Sequence, residues 1–397
     1  MRIAGIIAEY NPFHDGHAHH LSETRARGAD AVVAVMSGSF VQRGEAAILS
    51  KFARAEAAVR GGVDLVLELP VYWATGSAQR FAEGAVSVLR QCGCVEMLSF
   101  GSECGDADRI AGTARALADP ALPGAMQPYL RQGLAFAAAR QKAVEDLFGA
   151  SVAALLRDPN DTLAAEYLFA AARQGAAFTP VAVRRVCAHD ADDAQGGFLS
   201  AHAIRERMRA EGNCPACPEA TREIWQAAAE SGQAPADLLR LEREILLRLR
   251  TADADVLRRL PDVTEGLENR ILTAAKQARS LDELYALVRS KRYPHARVRR
   301  IVLSCLLDLR KADIPPDVPY LRPLAIGVRG EEILREIRRS GGAPILSRAS
   351  QASELSEEAQ RVFCAECRAG EAFSLMLPEI PAAGMDFSKP MFRLKIE

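Results

Sequence analysis

The sequence predicts an α/β protein with a doubly wound, five-stranded parallel sheet, followed by a mainly helical C-terminal region. The chain has 397 residues, of which 49% are hydrophobic and 25% charged, so it can form a sizeable core. In the first half, short apolar runs alternate with helical patterns, which is typical of a parallel sheet covered on both faces. From about residue 213 to about residue 320, long Ala/Leu/Arg/Glu segments replace these runs.

Five apolar segments are predicted as strands, because each is β-branched or Leu-rich and is followed by Gly, Pro or Asn. They are Arg2–Ala8, Ala31–Met36, Asp64–Leu69, Val95–Phe100 and Pro180–Val186. The stretch His14–Arg27, between the first two strands, is predicted as a helix. Right-handed crossovers then place such helices on both faces of the sheet.

The second half is predicted to contain helices and then a short α/β end. The helices are Thr221–Ser231, Pro235–Leu249, Leu267–Ala278, Leu281–Arg289 and His295–Arg310, and Leu321–Ile345 is a strand, a helix and a strand. The change of pattern near Arg209–Pro218 predicts two domains, residues 1–210 and 211–397.

Charge and composition exclude some classes of protein. Lys and Arg total 50 and Asp and Glu total 51, so a globally basic nucleic-acid coat is excluded, whereas a local basic patch is not. No apolar run reaches the roughly 20 residues that span a bilayer. The N-terminus does not match a signal peptide, and most of the nine cysteines lie in apolar runs. We therefore expect a soluble cytoplasmic protein with no membrane partner.

The segment Ala8–His20 is the most informative part of the chain, since ligands of open α/β sheets bind at the carboxyl ends of the strands. His14 and His17 share one helix face, and Gly16 lets a phosphate approach the backbone. The first turn of a helix also favours an anion. We expect this helix start to face solvent. The alternatives are a surface or core-edge role, or a metal site with His20, but no carboxylate or Cys stands at metal-site spacing.

Two motifs place the chain near a known class. HDGH at His14–His17 resembles the HIGH-type motif of the nucleotidylyltransferase superfamily. LSAHAIR at Leu199–Arg205 resembles its second signature, with His202 in place of the usual Thr. The chain also resembles a narrower family, the bacterial tRNA(Met) cytidine acetate ligases, in a series of sequence blocks that occur in the same order. These are Gly5–His17, Met36–Ala47, Gly62–Pro70, Ser77–Val86, Phe100–Glu103, Pro159–Tyr167 and Lys291–Leu307.

The resemblance implies a Rossmann-like nucleotidyltransferase domain that binds ATP, with Mg²⁺ brought by the nucleotide. It implies that acetate and ATP form acetyl-adenylate, and that the acetyl group then moves to N4 of the wobble cytidine of elongator tRNA(Met). The implied catalytic residues are His14, His17, Ser200 and Arg205. The implied ATP-binding residues are Ile7, Ala8, Glu9, Tyr10, Asn11, Pro12, Phe13, His14, Asp15, Gly16, His17, His20, Gly101, Asn160 and Arg185.

The basic segment Lys291–Lys311 is the candidate for tRNA contact, because it contains many basic residues and a single acidic residue, Asp308. Such a segment is in general a solvated helix face, but aromatic residues among arginines also suit RNA loops. The candidate contacts are Lys291, Arg292, Tyr293, Arg297, Arg299 and Arg300.

Several points stay open in the sequence. Arg184 competes with Arg185 for the ATP site, and Gln42 and Arg43 fit either a ligand contact or a solvated loop. Lys51 and Arg54 are predicted as ordinary surface charges, as are many residues near a helix start.

Two CxxC pairs, Cys214–Cys217 and Cys364–Cys367, would form a zinc site only if four thiolates met, so no metal site is predicted.

Two other functions compete with the ligase. A small-molecule adenylyltransferase acting on a phosphorylated cofactor precursor would use the same histidine helix, but it leaves residues 211–397 without a role. A non-catalytic RNA-binding protein would not need the intact His14, Gly16 and His17. The sequence does not predict the oligomeric state.

Overall fold

The computed structural model describes residues 1–185, 199–264, 266–340 and 342–395. The strands are β1 (Ile3–Ala8), β2 (Ala31–Ser37), β3 (Phe40–Val41), β4 (Glu45–Ala46), β5 (Leu65–Leu69), β6 (Val95–Ser102), β7 (Thr179–Arg184), β8 (Pro323–Ile326) and β9 (Phe392–Arg393). The helices are α1 (Asp15–Ala26), α2 (Lys51–Arg60), α3 (Val71–Ala74), α4 (Ala78–Cys92), α5 (Ala107–Leu117), α6 (Leu122–Arg131), α7 (Phe136–Phe148), α8 (Ala150–Ala154), α9 (Pro159–Arg173), α10 (Ala201–Glu211), α11 (Glu219–Glu230), α12 (Glu242–Thr251), α13 (Ala254–Arg258), α14 (Leu267–Gln277), α15 (Leu281–Val288), α16 (His295–Leu306), α17 (Gly330–Ser340), α18 (Glu357–Ser374) and α19 (Met385–Ser388).

The main sheet has the strand order β7-β6-β1-β2-β5-β8-β9. The five strands predicted from the apolar runs, β1, β2, β5, β6 and β7, pair in parallel. The predicted fold class is therefore confirmed, with the last residue of the fifth predicted strand, Val186, outside the described residues. The strand order reverses between β1 and β6, which creates a crevice at the carboxyl ends of these two strands.

Both faces of the sheet are buried, which explains why β2 is apolar from Ala31 to Met36. In β2, Val33 and Val35 pack into the core on the α4 side, whereas Val32, Ala34 and Met36 pack with residues of α1 and α2 on the other side. Successive side chains of a strand point to opposite faces, so both sets must be hydrophobic.

The C-terminal part of the chain extends this sheet. β8 pairs with β5 in the antiparallel direction, and β9 pairs in parallel with β8. The strand, helix and strand predicted at Leu321–Ile345 are found as β8, α17 and an isolated bridge between Leu321 and Ile345. The division into residues 1–210 and 211–397 stays a prediction, because strands of the second part complete the sheet of the first.

The predicted helices of the second half are present, with shifted ends. The segment Pro235–Leu249 becomes a 3-10 turn at Leu238–Leu241 followed by α12, and the helix predicted over His295–Arg310 ends at Leu306. Within the described ranges, no helix combines the length and the apolar character needed to cross a membrane.

Candidate active site

A cavity of about 460 Å³ lies in the crevice at the carboxyl ends of β1 and β6. The sequence-predicted residues that line it are Ile7, Ala8, Glu9, Tyr10, Asn11, His14, Gly16, His17, His20, Gly101, Asn160, Arg185 and Arg205. The predicted residues Pro12, Phe13, Asp15 and Ser200 do not line it. The cavity thus joins the end of β1, the first turns of α1, the end of β6 and the start of α10.

His14 is both the N-cap of α1 and a wall of the cavity. Its Nδ1 accepts a hydrogen bond from the Gly16 amide at 3.0 Å, and the His14 amide donates to Nδ1 of His17 at 3.2 Å. The neutral rings therefore carry their protons on Nε2, which makes each Nε2–H a donor. The two ring centroids are 3.8 Å apart, and a Cβ at Gly16 would lie 2.8 Å from Cε1 of His14. Glycine at this position therefore makes room for the ring.

The expectation that this helix start faces solvent is wrong for His14, whose surface is only 7% exposed. Burial first, and then the positive charges of Arg185 and Arg205, lower the pKa of His14 to about 3. Burial, then His14, and then Arg185 lower the pKa of His17 in the same way. Both imidazoles are consequently neutral donors near pH 7.

His20 is fixed one turn further along α1. The Thr24 hydroxyl donates to the His20 carbonyl at 2.8 Å, and the Ser99 hydroxyl is 2.7 Å from the Thr24 hydroxyl. Ser99 must therefore donate to Thr24, and it accepts from Nε2–H of His20 at 2.9 Å. Burial lowers the pKa of His20 to about 4.

Arg205 and Ser200 stand at the start of α10, in the second predicted signature. The Arg205 guanidinium donates to the Asn11 carbonyl at 2.9 Å and to the Ala201 carbonyl at 3.0 Å. It therefore ties α10 to the loop after β1 while it lines the cavity. Ser200 is the N-cap of α10, and its buried hydroxyl accepts from the Ala203 amide at 3.1 Å.

The opposite wall is formed by the loop after β6 and the start of α9. The Glu103 carboxylate accepts from the Asn160 side-chain amide at 2.5 Å and from the Asp161 amide at 2.9 Å. In return, the Asp161 carboxylate accepts from the Glu103 amide at 3.0 Å and from the Cys104 amide at 3.1 Å. This reciprocal capping holds Asn160 at the cavity.

Arg185 is favoured over Arg184 as the basic residue of this wall, although both line the cavity. Its guanidinium is 3.5 Å from Oδ1 of Asn160, and its charge lowers the pKa values of the cavity histidines. Arg184 instead packs against Gly105. A Cβ at Gly101 would lie 3.7 Å from Cγ of Arg185, which is an ordinary van der Waals contact, so Arg185 itself does not require glycine there.

Glu9 follows β1 and Gln42 lies in the turn between β3 and β4, and both residues line the cavity. Oε1 of Glu9 accepts from the Gln42 amide at 2.9 Å. Arg54 donates to the carbonyls of Glu9 at 2.5 Å and Ser37 at 3.1 Å. Its guanidinium therefore fixes the ends of β1 and β2 against each other.

The expectation that Lys51 and Arg54 are surface charges is wrong, because both are 0% exposed. Lys51 Nζ lies 2.5 Å from Asp386, 2.7 Å from Glu68 and 3.1 Å from Glu366. Arg322 adds ion pairs to Glu68 and Asp386. This cluster could not be predicted from the sequence, because its members come from distant parts of the chain.

The basic segment is partly built into the fold. Tyr293 is 7% exposed and Arg300 9% exposed, and Arg300 pairs with Asp262 at 2.9 Å. Arg297 donates to the Asp262 carbonyl at 2.8 Å, and Arg299 pairs with Glu45.

Two of the predicted tRNA contacts, Lys291 and Arg292, are exposed. The structure therefore brings these two to the surface and gives the other four packing or ion-pair roles within the protein.

Some residues that line the cavity were not predicted from the sequence, or their role was left open. Gln42 and Arg43 both line the cavity, and so do Phe81, Leu163 and Tyr167. Tyr167 ends the block Pro159–Tyr167 and Phe81 lies in the block Ser77–Val86, so the blocks themselves were the available signal.

Metal ligands do not cluster in the described parts of the chain: no group of three or more His, Cys, Asp or Glu residues there could hold a metal ion. The thiols of Cys214 and Cys217 are buried near each other, and the Cys214 thiol raises the pKa of Cys217.

This chain is similar to known proteins in sequence and in fold. The HIGH Nucleotidyl Transferase family model matches residues 1–385. The tRNA(Met) cytidine acetate ligase of Thermoanaerobacter sp. (strain X514) is 36% identical over 99% of this chain and 100% of its own length. That of Syntrophomonas wolfei is 37% identical over 98% of each chain. This chain belongs to the tRNA(Met) cytidine acetate ligase family.

The solved structures of the family have the same fold. Thermotoga maritima TmcAL bound with alpha-thio ATP is 31% identical, covers 99% of each chain and has a TM-score of 0.91. The apo form of the same protein has a TM-score of 0.93.

Proposed function

We propose that this protein is an ATP-dependent ligase that activates acetate as acetyl-adenylate and acetylates N4 of the wobble cytidine of elongator tRNA(Met). The observation that carries the proposal is the cavity at the strand-order reversal, where two neutral histidine donors face Arg185 and Arg205. The family relatives named tRNA(Met) cytidine acetate ligase, and the relative bound with alpha-thio ATP, support the same conclusion.

The first step joins acetate to ATP. A carboxylate oxygen of acetate attacks the α-phosphorus, and the bond to the pyrophosphate oxygen breaks, so acetyl-adenylate and pyrophosphate form. Acetate is already ionised at neutral pH, so this step needs positioning and charge stabilisation rather than a base. His14 and His17 supply Nε2–H donors to the phosphates, and Arg185 and Arg205 supply positive charge.

We propose that Ser200 contributes indirectly, because its hydroxyl already accepts the Ala203 amide as the N-cap of α10. It therefore orients the helix that carries Arg205. Ile7, Ala8, Tyr10 and the loop around Asn11 would frame the nucleotide.

The magnesium ion would be held mainly by the phosphates of ATP. Among the described residues that line the cavity, Glu9 is the only carboxylate, and Mg²⁺ bound with nucleotides commonly keeps few protein ligands and several waters. The donor set of the cavity fits a phosphate-bound ion and does not form a protein cage. When bound, the ion would neutralise charge on the leaving pyrophosphate.

The tRNA would contact the exposed end of the basic segment, at Lys291 and Arg292, through its phosphates. Arg297, Arg299, Arg300 and Tyr293 would then shape this surface from below. We further propose that the protein works in the cytoplasm, where tRNA, ATP and acetate are available.

Incubation with ATP, acetate and bulk tRNA tests this function. We expect acetate-dependent pyrophosphate exchange and N4-acetylcytidine in the digested tRNA, detected by mass. A protein that instead transfers AMP to 4′-phosphopantetheine or nicotinate mononucleotide, without acetate, would be the small-molecule adenylyltransferase.

A further inference from the structure

The second half-reaction has a requirement that the first does not share. When N4 of cytosine bonds to the acetyl carbon, the bond from that carbon to the AMP oxygen breaks and AMP leaves with the electron pair. The nitrogen then carries one hydrogen too many for an amide, so a proton must pass to a base. This inference rests on the proposed function, since it concerns the acceptor of that proton.

Three of the four histidines that line the cavity, His14, His17 and His20, are poorly suited to accept it. Nδ1 of His14 and of His17 already accepts a backbone amide, and Nε2 carries the remaining proton. Nε2 of His20 donates to Ser99, and burial lowers its pKa to about 4. Protonation of any of the three would also place a cation near Arg185.

Apart from His19, which the test below addresses, the arginine, amide and tyrosine groups at the cavity are excluded by their chemistry. Guanidinium and amide groups are not bases at neutral pH. Burial raises the pKa values of the Tyr10 and Tyr167 hydroxyls, so neither is a phenolate. Among the described residues that line the cavity, Glu9 is the one carboxylate.

We propose that Glu9 is the general base that accepts the N4 proton during acetyl transfer to cytidine. Glu9 follows β1 directly and lines the same cavity as His14 and His17, so it stands beside the groups that would hold the adenylate. Its Oε1 is held by the Gln42 amide at 2.9 Å, and Arg54 holds its carbonyl at 2.5 Å. The first contact orients the carboxylate and the second fixes the backbone that carries it, so the base is held in one place.

The surroundings of Glu9 also set its basicity. Burial raises its pKa, whereas the Gln42 amide and the charges of Arg205, Arg43 and Arg54 oppose that rise. Tyr167 faces it from α9, and its own pKa is raised further by the Glu9 charge. A carboxylate with a raised pKa is a stronger proton acceptor than an exposed one.

The test separates the two half-reactions in the Glu9→Gln variant. Glutamine keeps the shape and an oxygen acceptor for the Gln42 amide, but it does not take up a proton. Adenylation is measured by acetate-dependent pyrophosphate exchange. Transfer is measured in a single turnover from preformed, labelled acetyl-adenylate to tRNA, across pH. We expect transfer to fall about 10²-fold or more, as for loss of a general base, while exchange falls by a much smaller factor.

Two further variants serve as controls for this test. Glu9→Asp keeps a carboxylate, and we expect it to recover transfer about tenfold or more over Glu9→Gln and to keep a base-dependent limb in the pH profile. Glu23→Gln is the matched control, because Glu23 lies on α1, pairs with Arg27 at 3.3 Å and does not line the cavity. It should behave as the natural protein.

Two outcomes would overturn the assignment, and a third would refute the function on which it rests. Equal losses in exchange and transfer for Glu9→Gln would mean that Glu9 only positions the nucleotide. A pH limb that survives in Glu9→Gln but disappears in His19→Gln would make His19 the base, since His19 also lines the cavity. Absence of both exchange and acetylcytidine in the natural protein would instead refute the proposed function, so the two failures are distinguishable.

Discussion

His14 combines a structural and a chemical contact, and asparagine at this position separates them. The ring accepts the Gly16 amide through Nδ1 and presents Nε2–H to the cavity. Asparagine is among the best N-cap residues, so His14→Asn keeps an acceptor for the first turn of α1. It removes the Nε2–H donor. His14→Ala removes both.

The expected magnitudes follow from these two contacts. Loss of one donor aimed at a developing charge typically lowers the rate by about 10²–10³-fold, or about 3–4 kcal/mol. Both variants should therefore lose acetate-dependent pyrophosphate exchange to that extent. Loss of an N-cap lowers the free energy of unfolding by about 1 kcal/mol. Because His14→Asn keeps the cap, only His14→Ala should show this loss.

Pyrophosphate exchange and urea unfolding of the same preparations check both parts. His19→Asn, two positions beyond His17 on α1, tests whether any cavity histidine gives the same loss. Full exchange activity in His14→Asn would refute the role of Nε2–H in adenylation. Equal unfolding free energies for His14→Asn and His14→Ala would refute the role of Nδ1 as the cap.

Three further predictions concern stability, charge and RNA. The pKa of His14 is about 3 in the folded protein, below its usual value of 6.5, so the unfolded chain binds the proton more readily between these values. The free energy of unfolding should therefore fall as pH drops below about 6.5, and this residue should contribute about 1 kcal/mol per pH unit to the fall. Urea unfolding at pH 7 and pH 5 checks this, because the free energy of unfolding should decrease less in His14→Asn than in the natural protein. Lys51→Met leaves buried carboxylates with one cation fewer and should cost about 3–5 kcal/mol of unfolding free energy, whereas the exposed Arg209→Ala should cost at most about 1 kcal/mol; similar losses in urea unfolding would refute the difference. Lys291→Ala should weaken tRNA binding in filter assays, and the slope of log K against log salt concentration should become shallower by about 0.7–0.9, while acetyl-adenylate still forms. An unchanged slope would mean that Lys291 makes no phosphate contact.

The parallel strands could be predicted because their signal is local. A strand buried on both faces is mostly apolar, as β1 and β2 are up to Met36, and the one charged residue of β5, Glu68, is paired with Lys51. The pairing of β8 with β5 could not be predicted, because a strand of four residues gives a weak pattern and its partner lies far away in sequence. Register and neighbours depend on such long-range contacts.

The site was predictable where one segment supplies its residues. The turn from β1 into α1 brings Glu9, His14 and His17 to the cavity within one short stretch. The burial of Lys51 and Arg300 was not predictable, since a basic residue near a helix start is usually solvated, and only the folded chain shows which carboxylates meet it. The resemblance implies a catalytic role for Ser200, but it did not indicate that this hydroxyl caps its own helix.

The pairing of β5 with β8 has a consequence for synthesis on the ribosome. Arg322 and Glu68, which meet at this pairing, are 254 positions apart in the chain. At about 5–20 residues per second, translation needs on the order of 10–50 s to bring the second strand out after the first. During that time one side of an apolar strand lacks its partner, and such an edge is prone to pair with other nascent chains. Stalled or truncated translation products that end before Pro323 are therefore expected to aggregate.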